Sequence, residues 1–332
     1  MKTLLLKENE LTQGAQFIKN GEVVAFPTDT VYGLGADATN NEAVTKIFKA
    51  KGRPMDRPIS VLIAKNEDVE KYAKDVPQEV KKLAATFWPG PLTIILKNKG
   101  LLAPLITPGE TTVGLRMPDH PLTLAFIKKC GIPLATPSAN STGRPSPTRA
   151  EHVMDDLEGK ISAVIDGGET SFGIESTVID FSNPQKPLIL RPGNITKEAI
   201  EATIQKEVYL KDEKAIKREK QKKPEKHYEP KIPVFIVESS WAEAVQKMHR
   251  KDEKIAILAN ETVIEQFENE VAASFSLGAP GDLQAANRNF FQGLRTLEQS
   301  TATIILAEPY TKGSLSVPYM NRLQNAANKK TI

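Results

Sequence analysis

The chain has 332 residues, of which 40% are hydrophobic and 26% are charged, a composition typical of folded globular proteins and a length that predicts two domains. Its net charge of +3 argues against a protein built around a long nucleic-acid-binding face. The single cysteine, Cys130, excludes an intramolecular disulfide and a zinc site made of several thiolates. Because no stretch has the apolar length of a membrane span or of a signal peptide, we expect a soluble protein of the cytoplasm.

The first part of the chain alternates between strand and helix patterns from residue 22 to residue 204. An apolar run at 23–26 ends in proline and predicts a buried strand. Apolar residues then recur at helical spacing over 44–48, with Asn40 or Asn41 as N-cap and Gly52 at the C-terminal end. Further strands are predicted at 59–64, 92–96, 111–117, 133–136, 161–165, 176–181 and 188–190, and further helices at 66–74, 77–87, 120–129, 149–157 and 197–205. This pattern predicts an α/β fold for residues 1–205, with helices covering a large twisted mixed sheet.

Residues 206–231 break this pattern. They hold ten Lys or Arg against six Asp or Glu and few apolar side chains, which is typical of a flexible linker. Beyond it, residues 232–332 predict a small Rossmann-like βαβ domain. Its expected elements are strands at 234–237, 255–258 and 303–307, an apolar run at 271–277, and helices at 241–249, 262–267, 283–299 and 319–327. We assign no dinucleotide to this domain, because no G-x-G-x-x-G follows its first strand.

Two turns rich in hydroxyl groups stand out in the first domain. One follows the strand at 23–26 and contains Thr28 and Thr30, and the other runs from Thr136 to Thr148. Lys51 and Arg53 lie at the end of the helix between these turns, where they suit a polyanion. The alternative interpretation of each single cation is simpler, since Lys and Arg at a helix C-terminus also complement the helix dipole.

The chain offers fixed cations and hydroxyl groups, and its sequence shows no nucleophile–base pair, no phosphate-binding P-loop and no histidine-rich metal motif. The four histidines fall on predicted helices or on the linker, and for His120, His152 and His249 surface or capping roles are the simpler interpretation. The cations and hydroxyls are Lys51, Arg53, Arg57, Arg116, Arg144 and Arg191, with Thr30, Thr112, Thr136, Ser138, Ser146 and Ser176. This set favours phosphate binding and charge stabilisation without covalent catalysis.

Several motifs in the same order resemble the YrdC domain family in its long two-domain form, over residues 5–205. They are Pro-Thr-Asp-Thr-Val-Tyr-Gly-Leu at 27–34, Lys-x-Arg-Pro at 51–54, Ser-Ala-Asn at 138–140 and Gly-Arg-Pro-Ser-Pro-Thr at 143–148. The resemblance implies an L-threonylcarbamoyladenylate synthase that converts ATP, L-threonine and bicarbonate into threonylcarbamoyl-AMP and pyrophosphate, for the threonylcarbamoyladenosine of tRNA next to the anticodon. It implies Mg²⁺ bound mainly through ATP, transfer of the product to the tRNA threonylcarbamoyl transferase machinery, weak binding of tRNA at most, and no membrane association.

The resemblance also implies roles for single residues, with no protein ligand to a metal. The residues expected to be catalytic through the triphosphate are Lys51, Arg53, Ser138 and Asn140. Those expected to bind L-threonine are Thr30, Arg116 and Ser176, with Arg116 on the carboxylate. Those expected to bind the nucleotide are Arg53, Arg57, Thr112, Thr136, Ser138, Ser146, Arg191 and Tyr228. Tyr228 matches a linker tyrosine that closes over the nucleotide, although the residues around it read equally well as a simple turn.

Three positions depart from the family's pattern. Arg57 stands where Asn is frequent, and is either a further phosphate donor or a solvent-facing side chain. Leu62 stands where His is frequent, which leaves selectivity for threonine over serine open. The linker has Gln-Lys-Lys at 221–223 in place of Pro-Gly-Met.

Two other functions fit part of the sequence. A non-catalytic RNA- or nucleotide-binding module could use the arginines, but they lie beside glycine and serine turns without interleaved aromatic residues, which make up only 6% of the chain. A carbamoyl-transfer enzyme of hydrogenase maturation would need paired-cysteine zinc motifs, which a chain with one cysteine cannot supply.

Overall fold

The computed structural model describes residues 2–211 and 227–332, whose contacts form two compact units. The first comprises residues 2–142, 147–171 and 175–211, and the second comprises 143–146, 172–174 and 227–332. Most of the predicted linker, residues 212–226, lies outside the described residues. The predicted domain bounds therefore stay predictions.

The first unit is an α/β fold built on one large mixed sheet. Its helices are α1 (Leu11–Lys19), α2 (Asn41–Lys51), α3 (Asp68–Tyr72), α4 (Gln78–Phe87), α5 (Pro121–Cys130), α6 (Ala150–Leu157) and α7 (Lys197–Ile204). Its strands are β1 (Leu4–Leu6), β2 (Val24–Phe26), β3 (Gly33–Asp37), β4 (Val61–Leu62), β5 (Ala73–Lys74), β6 (Leu92–Asn98), β7 (Thr112–Arg116), β8 (Leu134–Ala135), β9 (Ala163–Ile165), β10 (Thr177–Asp180), β11 (Leu188–Arg191) and β12 (Tyr209–Leu210). The predicted fold class is confirmed.

The strand order of this sheet is β1-β9-β2-β3-β8-β4-β7-β6-β10-β11-β12, with β5 paired to β6. The sheet contains both kinds of pair: β4–β7 and β6–β10 are parallel, whereas β3–β8 and β6–β7 are antiparallel. The central strands β3, β8, β4 and β7 bring the two hydroxyl-rich turns to neighbouring strand ends. One cluster of buried apolar side chains includes α2, and a second includes Ile18 of α1 and Phe126 of α5.

Helix α2 shows why the local sequence folds as predicted. The Asn40 side chain accepts hydrogen bonds from the backbone N–H groups of Glu42 and Ala43, so Asn40 is the N-cap. Gly52 ends the helix in the left-handed region at φ 61°, a conformation that costs glycine little. The last helical residue is Lys51, which is therefore held at a fixed place.

Several local predictions are corrected by the structure. Residues 73–74 of the predicted helix 66–74 are instead strand β5, which pairs with Lys97 and Asn98 of β6. Strands β1 and β3 were not predicted, since three-residue or glycine-rich strands carry little periodic signal. Helix α1 was also not predicted, although Leu11, Ala15 and Ile18 recur on its buried face at helical spacing. Cys130 is a core residue at the end of α5, where burial raises the pKa of its thiol to about 12.

Gly33 and Gly35 lie inside β3 because of close packing rather than a bend. A Cβ atom on Gly35 would lie 2.4 Å from Cε1 of Phe26, and one on Gly33 would lie 2.4 Å from Cγ2 of Thr136. Glycine is therefore required at both positions by the neighbouring side chains.

The second unit is a smaller parallel sheet flanked by helices. Its strands are β13 (Val234–Ile236), β14 (Ile255–Ala259), β15 (Ala273–Ser276) and β16 (Ile304–Ala307), and its helices are α8 (Trp241–His249), α9 (Glu261–Phe267), α10 (Leu283–Leu297) and α11 (Ser316–Ala326). The strand order is β13-β16-β14-β15, with every pair parallel. The predicted Rossmann-like architecture is confirmed. Across the parts of both units that the structure describes, no helix combines the length and apolar character that a membrane span requires.

Candidate active site

Lys51 connects the end of α2 to the Ser-Ala-Asn loop. Its Nζ atom donates to the backbone oxygens of Ser138 and Asn140, both at 2.5 Å, and its own backbone oxygen accepts from Thr142 N at 2.8 Å. The lysine is only 4% exposed. Lys51 thus contacts both Ser138 and Asn140, which the family resemblance places with it and with Arg53 at the triphosphate. Lys51 also fixes the shape of the loop.

The Ser-Ala-Asn loop has further supports that the sequence did not indicate. Ser141 donates from its backbone N–H to Oδ2 of Asp156 at 3.1 Å and from its hydroxyl to the Asp156 backbone oxygen at 3.2 Å. Ala139 N donates to the Tyr32 backbone oxygen at 2.8 Å. Asp156 could not be found from the sequence, because it lies on α6 with no motif around it.

Arg53 and Arg57 lie in the loop that follows α2. Nη2 of Arg53 donates to the Pro58 backbone oxygen at 3.1 Å, and Nε of Arg57 lies 3.9 Å from Oδ1 of Asp56. Both arginines are partly exposed. They can therefore reach an anion without first leaving a buried position.

Arg116 lies at the end of β7 in a buried cluster with the first hydroxyl-rich turn. Its Nε donates to the Gly90 backbone oxygen at 3.0 Å, Nη1 donates to Oγ1 of Thr30 at 2.9 Å, and Nη2 forms a very short ion pair with Oδ1 of Asp29. Thr28 Oγ1 lies 3.0 Å from Thr30 Oγ1 and accepts from the backbone N–H groups of residues 30 and 31. The predicted pair Thr30 and Arg116 is therefore in direct contact, and Asp29 is a member of the site that sequence reasoning missed.

Charge and burial oppose each other at this ion pair. Asp29 is 1% exposed and Arg116 is 6% exposed. Burial raises the pKa of the Asp29 carboxyl, and the attraction of the Arg116 guanidinium offsets part of that rise. Burial also lowers the pKa of Arg116, although a guanidinium keeps its proton at neutral pH.

Ser176 and Arg191 form a third hydrogen-bonded group. Ser176 directly precedes β10, and Arg191 is the last residue of the neighbouring strand β11. Arg191 donates from Nε to the Ser176 backbone oxygen at 3.0 Å and from Nη2 to the Ser176 hydroxyl at 3.1 Å. That hydroxyl also lies 2.8 Å from Oγ1 of Thr93, another residue that the sequence did not single out. A residue predicted for threonine and one predicted for the nucleotide are thus joined directly.

The other predicted residues of the first unit lie at strand ends. Thr112 begins β7, where it pairs with Lys97 of β6. Thr136 follows β8, and its hydroxyl donates to the Leu134 backbone oxygen at 3.0 Å. Leu62 is the register partner of Arg116 on the neighbouring strand and is buried among apolar side chains.

Ser146 and Tyr228 belong to the second unit. Ser146 is 1% exposed and adjoins Arg144, whose guanidinium binds both carboxylate oxygens of Glu298. The Tyr228 ring lies 5.0 Å from the Phe291 ring, centroid to centroid, and the residue adopts φ 60°. Arg144 is therefore a structural cation of the second unit, which the sequence did not reveal because Glu298 is 154 residues away.

The described residues contain no group of three or more His, Cys, Asp or Glu side chains that could hold a metal ion. The site offers instead buried cations, backbone donors and hydroxyls around loops of fixed shape. This arrangement can bind a polyanion and a zwitterion and can stabilise negative charge in a transition state.

Two family models match this chain. The Sua5_yciO_yrdC model, described as "Telomere recombination", matches residues 16–193, and the model for the C-terminal domain of threonylcarbamoyl-AMP synthase matches residues 195–328. The threonylcarbamoyl-AMP synthase of Bacillus subtilis is 39% identical over 99% of this chain and 96% of its own length. That of Pyrococcus abyssi is 40% identical over 98% and 96%. The crystal structure of Sua5 from P. abyssi complexed with L-threonine has a TM-score of 0.88 at 37% identity, covering 100% of this chain and 99% of that one.

Proposed function

We infer the activity of this chain from its membership, because the chain belongs to the Sua5_yciO_yrdC family in the two-domain form shared with threonylcarbamoyl-AMP synthases. It is an enzyme of nucleotidyl transfer that converts ATP, L-threonine and bicarbonate into threonylcarbamoyl-AMP and pyrophosphate. The product serves the threonylcarbamoyladenosine modification of tRNA next to the anticodon. The observation that carries this inference is the similarity of both domains over nearly the whole chain.

The reaction asks the protein for positioning and charge stabilisation. A carbamate formed on the threonine nitrogen attacks the α-phosphorus of ATP in line, the P–O bond to the β-phosphate breaks, and pyrophosphate leaves. Lys51, Arg53, Ser138 and Asn140 are the residues we assign to the triphosphate. The contacts of Lys51 with the backbone oxygens of residues 138 and 140 support this assignment, since they hold the loop in one shape before the substrate arrives.

We assign L-threonine to Thr30, Arg116 and Ser176. A guanidinium carries five N–H donors, and Arg116 uses three of them on Gly90, Thr30 and Asp29. Among the described residues the other two donors have no protein partner, so we assign them to the substrate carboxylate. The protein contacts hold the guanidinium in one orientation, so little side-chain entropy is lost when a carboxylate binds.

We assign binding of the nucleotide to the following residues: Arg53, Arg57, Thr112, Thr136, Ser138, Ser146, Arg191 and Tyr228. The hydrogen bonds between Arg191 and Ser176 support a nucleotide site that adjoins the threonine site, as in-line attack requires. Tyr228 is assigned as the residue that covers the nucleotide.

Magnesium enters this scheme with the nucleotide. The first unit supplies cations and hydroxyls rather than clustered carboxylates, which fits an ion whose ligands are phosphate oxygens and water. When bound, the ion neutralises charge on the departing pyrophosphate. Arg53 and Arg57 are partly exposed in the loop that follows α2. We assign to them the same neutralisation of negative charge on the pyrophosphate.

The product has to pass to another protein. A mixed anhydride of a carbamate and a phosphate is labile in water, so we propose that the tRNA threonylcarbamoyl transferase machinery takes it up directly. The modest net charge of +3 supports weak tRNA binding at most. Because ATP is its proposed substrate and tRNA is the molecule finally modified, we place the enzyme in the cytoplasm and away from membranes.

Substrate omission tests the proposed function. We expect labelled bicarbonate to enter an AMP adduct only when ATP and L-threonine are both present, with one pyrophosphate released per adduct, measured by chromatography and a coupled pyrophosphate assay. Pyrophosphate release without threonine, or RNA binding without any turnover of ATP, would contradict it.

A further inference from the structure

Asp29 has one carboxylate oxygen that pairs with no donor in the part of the chain that the structure describes. Oδ1 pairs with Nη2 of Arg116, whereas Oδ2 is buried and has no hydrogen-bond partner among the described residues. Leaving a buried acceptor without a partner costs free energy, and native structures rarely do so without a functional reason. Oδ2 is therefore available to a donor that comes from a ligand rather than from the described residues.

The position of Asp29 narrows the identity of that donor. Asp29 precedes Thr30 in the chain and is paired to Arg116, both of which we assign to L-threonine. An amino acid at neutral pH is a zwitterion. A buried site that pairs both of its charges needs a cation for the carboxylate and an anion for the ammonium group. Arg116 and Asp29 supply that pair of charges within one buried cluster.

The chemistry also needs a proton acceptor. An ammonium group has no lone pair, so it must lose a proton before its nitrogen can attack CO₂. We propose that Asp29 binds the threonine ammonium group through Oδ2 and is the catalytic base that removes this proton, an inference that rests on the proposed function. Asp29 first takes one proton from the ammonium nitrogen. Bicarbonate becomes CO₂ by taking up a proton and losing water, and the free amine then attacks CO₂. The nitrogen loses its second proton as the N–C bond forms, which replaces the proton that bicarbonate took up and gives the carbamate.

The surroundings of Asp29 suit such a base. Burial raises the pKa of this carboxyl, and Arg116 and the backbone N–H of Asp29 itself oppose that rise, while the nearby negative charge of Asp119 adds to it. His120 is the other titratable group whose charge interacts with Asp29; its Nδ1 is buried without a partner among the described residues, and burial lowers its pKa. A carboxylate that is more basic than usual is a better acceptor near neutral pH.

Asp29→Asn tests the proposal, because it keeps the shape of the side chain and removes its basicity. We expect the forward rate, measured as pyrophosphate release with ATP, threonine and bicarbonate, to fall by about 100-fold or more. The reverse rate, measured as ATP formed from pyrophosphate and threonylcarbamoyl-AMP made by the wild type, should stay within about threefold, since that nitrogen is already acylated. Asp75→Asn is the matched control, because Asp75 is an exposed residue paired with Lys97.

The two directions separate the proposal from a structural role. If Asp29 only positions Arg116, both rates fall together, and that result would overturn the proposal, as would an unchanged forward rate. A wild type that makes no threonylcarbamoyl-AMP would instead refute the proposed function itself.

The wild type provides a second test that does not depend on how the variant folds. With saturating bicarbonate, we expect kcat/KM for threonine to be nearly constant between pH 7 and the pKa of the substrate amine, about 8 or above for an α-amino group. An increase of tenfold per pH unit over this range would show that the enzyme selects free amine from solution, and would exclude Asp29 as the base.

Discussion

At the residue scale, the site contains cations that protein groups already hold in place without a ligand. Arg116 is anchored at three points, and Lys51 is anchored to two backbone oxygens. The motifs around Thr30 and Lys51 allowed both residues to be predicted from the sequence. Asp29 and Asp156 were not predicted, because their roles depend on partners 87 and 15 residues away that no local pattern specifies.

His120 gives a prediction about pH. It occupies the N-cap position of α5, where burial lowers its pKa below the ordinary value of 6.5 while Asp29, Glu8 and Asp119 oppose this effect. The unfolded chain therefore binds this proton at a higher pH than the native chain does, so the free energy of unfolding decreases as pH falls below about 6.5.

We expect His120→Asn to reduce this pH dependence between pH 7 and 5.5, measured by urea denaturation at each pH. His249→Asn, at an exposed histidine of α8, serves as the control. A pH dependence in His120→Asn equal to that of the wild type would contradict the prediction.

At the element scale, helices α2 and α4 were easier to predict than the short strands β1 and β3. Helix α2 and helix α4 follow from periodicity and from end signals, and their observed bounds agree with the prediction to within a few residues. Strands β1 and β3 are defined by partners from distant parts of the chain, β9 and β8 among them. Sequence periodicity cannot report such pairing, since each strand has only three to five residues.

Strand β3 provides the second prediction. A methyl group on Gly35 would meet the fully buried Phe26 ring at 2.4 Å, so we expect Gly35→Ala to lower the free energy of unfolding by about 1–3 kcal/mol. The measurement is chemical denaturation. In the double variant Gly35→Ala with Phe26→Leu, the total loss should be smaller than the sum of the two single losses, because the smaller side chain relieves the clash. Strict additivity would count against this packing explanation.

At the scale of the whole molecule, length and amino-acid composition predict two domains. They do not specify which short segments pack with which unit. The contacts place residues 143–146 and 172–174, which lie within the first predicted domain, in the second unit. The bidentate pair of Arg144 with Glu298 and the hydrogen bond from Arg295 to the Pro145 backbone oxygen account for the first of these segments. The sequence identifies Arg144 as a cation within a motif, but it does not indicate that the carboxylate of Glu298, 154 residues away, pairs with it.

The rate of pyrophosphate release by Lys51→Ala, compared with the wild type and with Lys49→Ala, tests most directly whether the loop at 138–140 is the phosphate site of a synthase. Lys49 is the matched control, because it lies in the same last turn of α2 and is exposed. We expect Lys51→Ala to lose about 10²–10³-fold in rate, with ATP, threonine and bicarbonate all present and the fold intact by circular dichroism, and Lys49→Ala to stay near the wild type. A folded Lys51→Ala enzyme that releases pyrophosphate at the wild-type rate would contradict this assignment.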